Sequence, residues 1–134
     1  MPIRIRKTAA GGSGYGWPFI GPVDHTVQLK VDVSALTLKE VDKRGYLKPG
    51  VPFKRNGTLI GAGEKLYGVS VEATRVAESN SADDLAAAVD PFVAVATIAQ
   101  VNRDIVEDNL ARALTADEVA AFDAAGSKIS LTNT

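Results

Sequence analysis

The chain has 134 residues and a mass of 14.0 kDa, with 46% hydrophobic and 23% charged residues, one His and no Cys. That length suits one domain, able to bury roughly two thirds of its unfolded surface. Disulfides, thiolate metal sites and a thiol nucleophile are excluded by the lack of cysteine, and 15 basic against 16 acidic side chains give no whole-protein pull towards nucleic acid or an anionic membrane.

The first residues read as an arm. Met1-Pro2-Ile3-Arg4-Ile5-Arg6-Lys7 is basic, but no apolar stretch follows as in a secretory leader. Thr8 to Gly16, which includes Tyr15, is rich in glycine and flexible by composition. Trp17-Pro18-Phe19-Ile20-Gly21-Pro22 then blocks a helix with its prolines. Two units are expected: a flexible arm over residues 1–22, able to reach ~70 Å when extended, and a domain over 23–134. On this reading a chain beginning at Val23 melts like the full chain.

His25 to Ser34 alternates, with Val27, Leu29, Val31 and Val33 on one side, and predicts a half-buried strand. Lys48-Pro49-Gly50-Val51 predicts a type II turn. Asn56-Gly57, between Val51–Arg55 and Thr58–Ile60, predicts a hairpin. Tyr67 to Ala73 alternates as a further strand. Ser79 to Asp90 reads as a loop with one helical turn capped by Ser81. Phe92 to Val101 is a long apolar run and predicts a central strand, and Asn102 to Leu114 reads as helical turns. Thr115-Ala116-Asp117-Glu118 is a capping box that opens a helix, with Leu114 and Val119 as its staple, Phe122 on its buried stripe and Gly126 at its end. Ile129 and Leu131 suggest a last strand. No stretch reaches the ~20 apolar residues of a membrane span.

Charge is uneven along the chain. Residues 32–69 carry 7 basic and 4 acidic side chains, whereas residues 70–134 carry 4 basic and 11 acidic ones. Solvated helix faces account for this more simply than a two-faced particle does.

The chemical motifs weigh as follows. Gly57, Gly61, Gly63 and Gly68 do not make a phosphate loop, because Gly63 is followed by Glu64-Lys65-Leu66. Asn56-Gly57-Thr58 matches a glycosylation acceptor but reads as the hairpin turn. His25 lacks a local nucleophile and orienting group, so a hydrogen-bonded strand-end His is favoured over a general base. Asp104, Glu107 and Asp108 would share a helix face; a solvated face with Asp108 paired to Arg112 is favoured over a cation site. Trp17 is either a loop residue folded back on the domain or an anchor for a partner. Ile3-Arg4-Ile5-Arg6 alternates like a strand that needs another chain's sheet edge. No cofactor, metal or catalytic set is expected, and no enzyme activity.

Four segments in order carry a resemblance: Tyr46 to Gly57, Gly63 to Glu72, Val95 to Asp104, and Thr115-Ala116-Asp117-Glu118 with the terminal Ile129-Ser130-Leu131. Together they resemble the head decoration proteins of tailed bacteriophages, typified by the lambda head decoration protein, over about residues 27–131. The resemblance implies an α+β, mostly β, compact β-clip-like (β-tulip) domain with one C-terminal helix and a flexible N-terminal arm. It implies homotrimers at three-fold and quasi-three-fold positions of the expanded head. There they clamp the major capsid protein against internal DNA pressure. The protein would be made in the host cytoplasm and end on the outer surface of the virion, with no nucleic-acid or membrane partner. The arm would add a strand to a capsid sheet, with Ile3, Arg4, Ile5, Arg6, Lys7, Tyr15, Trp17 and Phe19 as contact residues. The arm's length, its Trp17-Pro18-Phe19 and the polar segment 79–90 depart from the family pattern. Two rivals remain: a trimeric dUTPase-like nucleotidohydrolase, whose motifs are not found, and a bacterial adaptor that binds a strand edge.

Overall fold

The computed structural model describes residues 14–132. In chain order the elements are β1 (His25–Lys30), a 3-10 turn (Val33–Ala35), β2 (Tyr46–Leu47), β3 (Pro52–Phe53), β4 (Gly68–Ser70), β5 (Thr74–Arg75) and α1 (Ala82–Ala87). They continue with β6 (Phe92–Asn102), α2 (Arg103–Leu110), α3 (Ala116–Ala125) and β7 (Ile129–Thr132). The class is α+β, dominated by antiparallel strand pairs, with a C-terminal helix as expected and two further helices. Among the described residues neither sheet closes into a barrel.

The apolar run from Phe92 becomes β6, the spine of the main sheet. β1 pairs antiparallel along its first half, from Thr26 opposite Ala96 to Lys30 opposite Phe92. β4 joins on the other side through Val69 and Ser70. The second half of β6 pairs in parallel with β7, from Ala99 opposite Ile129 to Asn102 opposite Thr132. Val93, Val95, Ala96 and Val101 of the run are buried in the core, whereas Phe92 and Ile98 stay exposed. At its end Asn102 turns strand into helix: its side chain accepts the N–H groups of Asp104 and Ile105 and caps α2.

Three strand expectations need correction. The alternation from His25 continues to Val33, and Val31 and Val33 are fully buried, yet the strand ends at Lys30 because Asp32 donates its N–H to Gly57 O and the chain bends into the 3-10 turn. Thr58–Ile60 is not a strand; β3 pairs with β4 instead. The turn at Asn56-Gly57 does form. Gly57 N donates to Lys54 O (3.0 Å) and Lys54 N to Thr58 O (2.9 Å), a three-residue loop with a bulge at Gly57, φ 85°. Only glycine fits there, since a Cβ would lie 2.0 Å from Lys30 O.

The turn at Pro49-Gly50 also forms, with Gly50 at φ 99°. The Ser70 hydroxyl closes it, accepting from Val51 N (2.9 Å) and donating to Lys48 O (2.8 Å). The expected strand from Tyr67 to Ala73 is shortened to β4 in the main sheet, and the chain beyond it bends so that β5 pairs with β2 in a separate two-stranded sheet. Ser81 caps α1 and Thr115 with Glu118 forms a complete capping box on α3, both as expected.

The largest correction concerns the N-terminus. The segment 15–20 belongs to the fold, so the boundary drawn at residue 22 cuts through it. Phe19 is 4% exposed, sits in the core and bridges Val101 of β6. Ile20 N donates to Gln100 O (2.9 Å), and Asn102 N donates to Pro18 O (2.8 Å). These residues cover the edge of β6 that β1 leaves open. Burial of Phe19 and pairing of exposed backbone outweigh the flexibility that the glycines suggest.

Candidate functional site

The clip that fastens the N-terminal segment is built from three places. Tyr15 donates its hydroxyl to Asp42 Oδ2 at 2.6 Å. Gly16 N donates to Asn109 Oδ1 and Asn109 Nδ2 donates to Gly16 O, both at 2.9 Å, while the same Nδ2 also reaches Pro49 O at 3.3 Å. Trp17 is half-buried, meets Phe19 edge-on with ring centroids 5.3 Å apart, and donates its indole N–H to Gly21 O. Gly16 lies so close to α2 that a Cβ would fall 2.7 Å from Ile105 Cγ2. Of the two readings of Trp17, the fold places it back on the domain. Ile3, Arg4, Ile5, Arg6 and Lys7 lie outside the described residues.

Asp42 serves both the clip and its own turn, accepting from Arg44 N and Tyr46 N. Burial pushes its carboxyl up, but the Tyr15 hydroxyl and those two backbone donors hold it below the ordinary range. Tyr15 is pushed well above its usual value, first by burial and then by its bond to Asp42.

Beside the clip lies a buried ion triad. Arg112 reaches Glu40 Oε2 (3.0 Å) through Nη2 and Glu118 Oε1 (2.8 Å) through Nη1. The two carboxylates are almost wholly buried. Glu40 also accepts from Thr37 N and Oγ1, and Glu118 from Thr115 N. Burial pushes Glu40 up, yet the Thr37 bonds and Arg112 outweigh it and leave its carboxyl below the ordinary value. Glu118 and Glu40 in turn hold the guanidinium more firmly charged. The triad ties the 37–40 turn to both ends of the link between α2 and α3, and its polar atoms are satisfied, so it reads as structural. The expected pair of Asp108 with Arg112 is therefore corrected: the guanidinium takes the two buried carboxylates.

The other candidates are spread over the surface. His25 is exposed at the start of β1. Glu107 is engaged by Arg103 (3.2 Å) and by Leu114 N (2.8 Å). Among the described residues no group of three or more His, Asp or Glu is placed to hold a metal ion, and no helix is long and apolar enough to cross a membrane. In the glycine-rich stretch, the Gly61 N–H that a phosphate would take donates to Glu64 Oε1 at 2.6 Å, and Lys54 fixes that carboxylate from the other side. Val89, Phe92 and Leu38 are the most exposed large apolar side chains among the described residues.

Asn109, Asp42 and Glu40 escaped the sequence reading. A buried Asn inside α2 carries a detectable signal, since Asn is a poor helix former kept there by a tertiary partner. Asp42 and Glu40 have local partners in Arg44, Tyr46 and Thr37, but the partners that place them in the clip and the triad, Tyr15 and Arg112, are 27 and 72 residues away. The sequence matches no family model and no curated protein, and the fold matches no solved structure.

Proposed function

We propose that the chain is a binding protein without catalytic activity, a decoration protein of a tailed-phage head. It acts as a β-clip-like homotrimer on the outer face of the expanded shell and holds neighbouring copies of the major capsid protein together. The observation that carries this reading is the clip. Residues 15–20 are fastened to α2, β6 and the 42–46 turn, so the thirteen residues before Gly14 start from a fixed point. Thirteen residues span up to ~45 Å. They hold Ile3-Arg4-Ile5-Arg6-Lys7, whose alternation suits strand addition to a partner's sheet edge with cations towards an acidic surface. Phe19 is buried and Tyr15 bonded within the domain, so their part is to fix the launch point, and the contact falls to Ile3–Lys7.

Individual backbone hydrogen bonds contribute only ~0.5–1.5 kcal/mol net. One such segment binds weakly, and three on a trimer gain ~10²–10⁴ from avidity. The test is binding of the full chain and of a chain lacking residues 2–13 to expanded, undecorated capsids. The shortened chain is expected to bind at least about tenfold more weakly, or about 1.4 kcal/mol. Equal binding would show that the body of the protein makes the contact.

A further inference from the structure

The Asn56-Gly57 turn has a chemistry of its own. In an Asn-Gly pair the glycine nitrogen has no side chain beside it to hinder attack on the preceding side-chain amide. The Gly57 backbone nitrogen, after losing its proton to solvent base, bonds to Asn56 Cγ; the Cγ–Nδ2 bond breaks, and Nδ2 takes a proton and leaves as ammonia. Water then opens the resulting five-membered imide at one of its two carbonyls. The product is Asp, or isoaspartate with the chain rerouted through the side-chain carboxyl. No oxidant, metal or enzyme is needed.

Asn56 is exposed, so water and base reach it. The fold nevertheless holds the reacting atoms out of use. The Gly57 N–H is committed to Lys54 O at 3.0 Å. Asn56 Oδ1 is held away by two donors, Thr58 N at 3.2 Å and Thr58 Oγ1 at 2.8 Å. Gly57 O accepts from Asp32 N, and its α-carbon is pressed against Lys30 O so closely that a Cβ would lie 2.0 Å away. Rotation of the 56–57 peptide towards ring closure therefore has to break the turn's contacts with the end of β1.

We propose that Asn56 is a latent self-modification site, kept as the amide by the folded turn and converted to Asp or isoaspartate when the hairpin opens. The conversion places a carboxylate at position 56. In its isoaspartate form it also lengthens the backbone by one carbon at residue 56, so the three-residue loop no longer matches the spacing of the Lys54–Thr58 and Asp32–Gly57 hydrogen bonds and does not close again in its original form.

The full-length protein is incubated in mildly alkaline buffer, folded in one arm and unfolded in urea in the other, and residue 56 is followed by peptide-mapping mass spectrometry. Reaction through a local opening makes the folded rate the unfolded rate multiplied by the open fraction. The folded chain is expected to convert at least about tenfold more slowly, and the hydrogen-exchange protection of the Gly57 amide is expected to match that factor within an order of magnitude, because both require the same opening. A smaller ratio, faster conversion in the folded chain, no conversion in either state, or slowing without matching protection at Gly57 would overturn the proposal.

Discussion

Arg112 shows how much one side chain carries in this protein. It lies between two buried carboxylates, and its removal leaves both without a countercharge. Loss of one partner from a buried pair costs about 3–5 kcal/mol, so Arg112→Met is expected to lose that much at neutral pH in urea melts. The pH dependence has a definite sign. Glu40 and Asp42 both lie below their ordinary values of 4.5 and 3.8 in the folded chain. Their contribution is whole above those values and drains as pH falls from there through the lower folded-state values. Acid unfolding is therefore expected to begin below about pH 4.5. In Arg112→Met, Glu40 keeps the burial that pushes its carboxyl up and loses one of the groups that hold it down, so it ionises less readily than in the wild-type fold. The deficit should accordingly shrink as pH falls, and a constant deficit from pH 7 to pH 4 would place the cost in packing. Ala111, beside Arg112, ends α2 at φ 55°, where the other positive-φ positions among the described residues are glycines. Ala111→Gly relieves that conformation, which costs an L-residue roughly 1–2 kcal/mol, at some loss of backbone entropy. A gain of about 0.5–1 kcal/mol is expected, and a loss would show that the Ala111 methyl has a packing role.

Among the elements, α3 follows local rules most closely. Its capping box, its start after Thr115 and its end at Gly126 were all written in adjacent residues, because capping is settled within one turn. Thr115→Ala should cost ~0.5–2 kcal/mol. Phe122 is 1% exposed, and Phe122→Ala should cost ~3–5 kcal/mol. An equal shift for the two variants would mean that the helix's contribution is local. The segments after β1 and around Thr58 obey a different logic. Alternation from His25 to Val33 reported the burial of Leu29, Val31 and Val33, but Val27 is 37% exposed, and it missed the strand's end, which depends on Gly57, 25 positions beyond Asp32. Thr58–Ile60 had the right neighbours for a hairpin, yet β4 supplied the partner of β3.

At the scale of the whole molecule, β6 organises the chain, and the N-terminal segment is its missing edge. Removal of residues 14–22 takes Phe19 out of the core and leaves Gln100 O and Asn102 N without their partners. A chain beginning at Val23 is therefore expected to be less stable than one beginning at Gly14 by at least about 3 kcal/mol, on the scale of a buried Phe lost. Coincident thermal melts of the two would restore the boundary at residue 22. The same comparison separates two effects in capsid binding, since a chain that starts at Gly14 keeps the clip and loses only Ile3–Lys7.

Short-range physics made part of the fold legible in the residues: the mostly-β class with a C-terminal helix, the central apolar strand, the caps at Ser81 and Thr115, and the turns at Gly50 and Gly57. Each rests on dihedral preference, capping or periodicity within a few residues. The rest follows from contacts between segments far apart in the chain. Tyr15 to Ile20 resembled a tether because glycine and proline dominate its local preferences, and it became part of the domain because an unpaired edge of β6 and a pocket for Phe19 await it. Arg112 had a local candidate in Asp108, and it took Glu40 and Glu118 because leaving two buried carboxylates without a cation is costly.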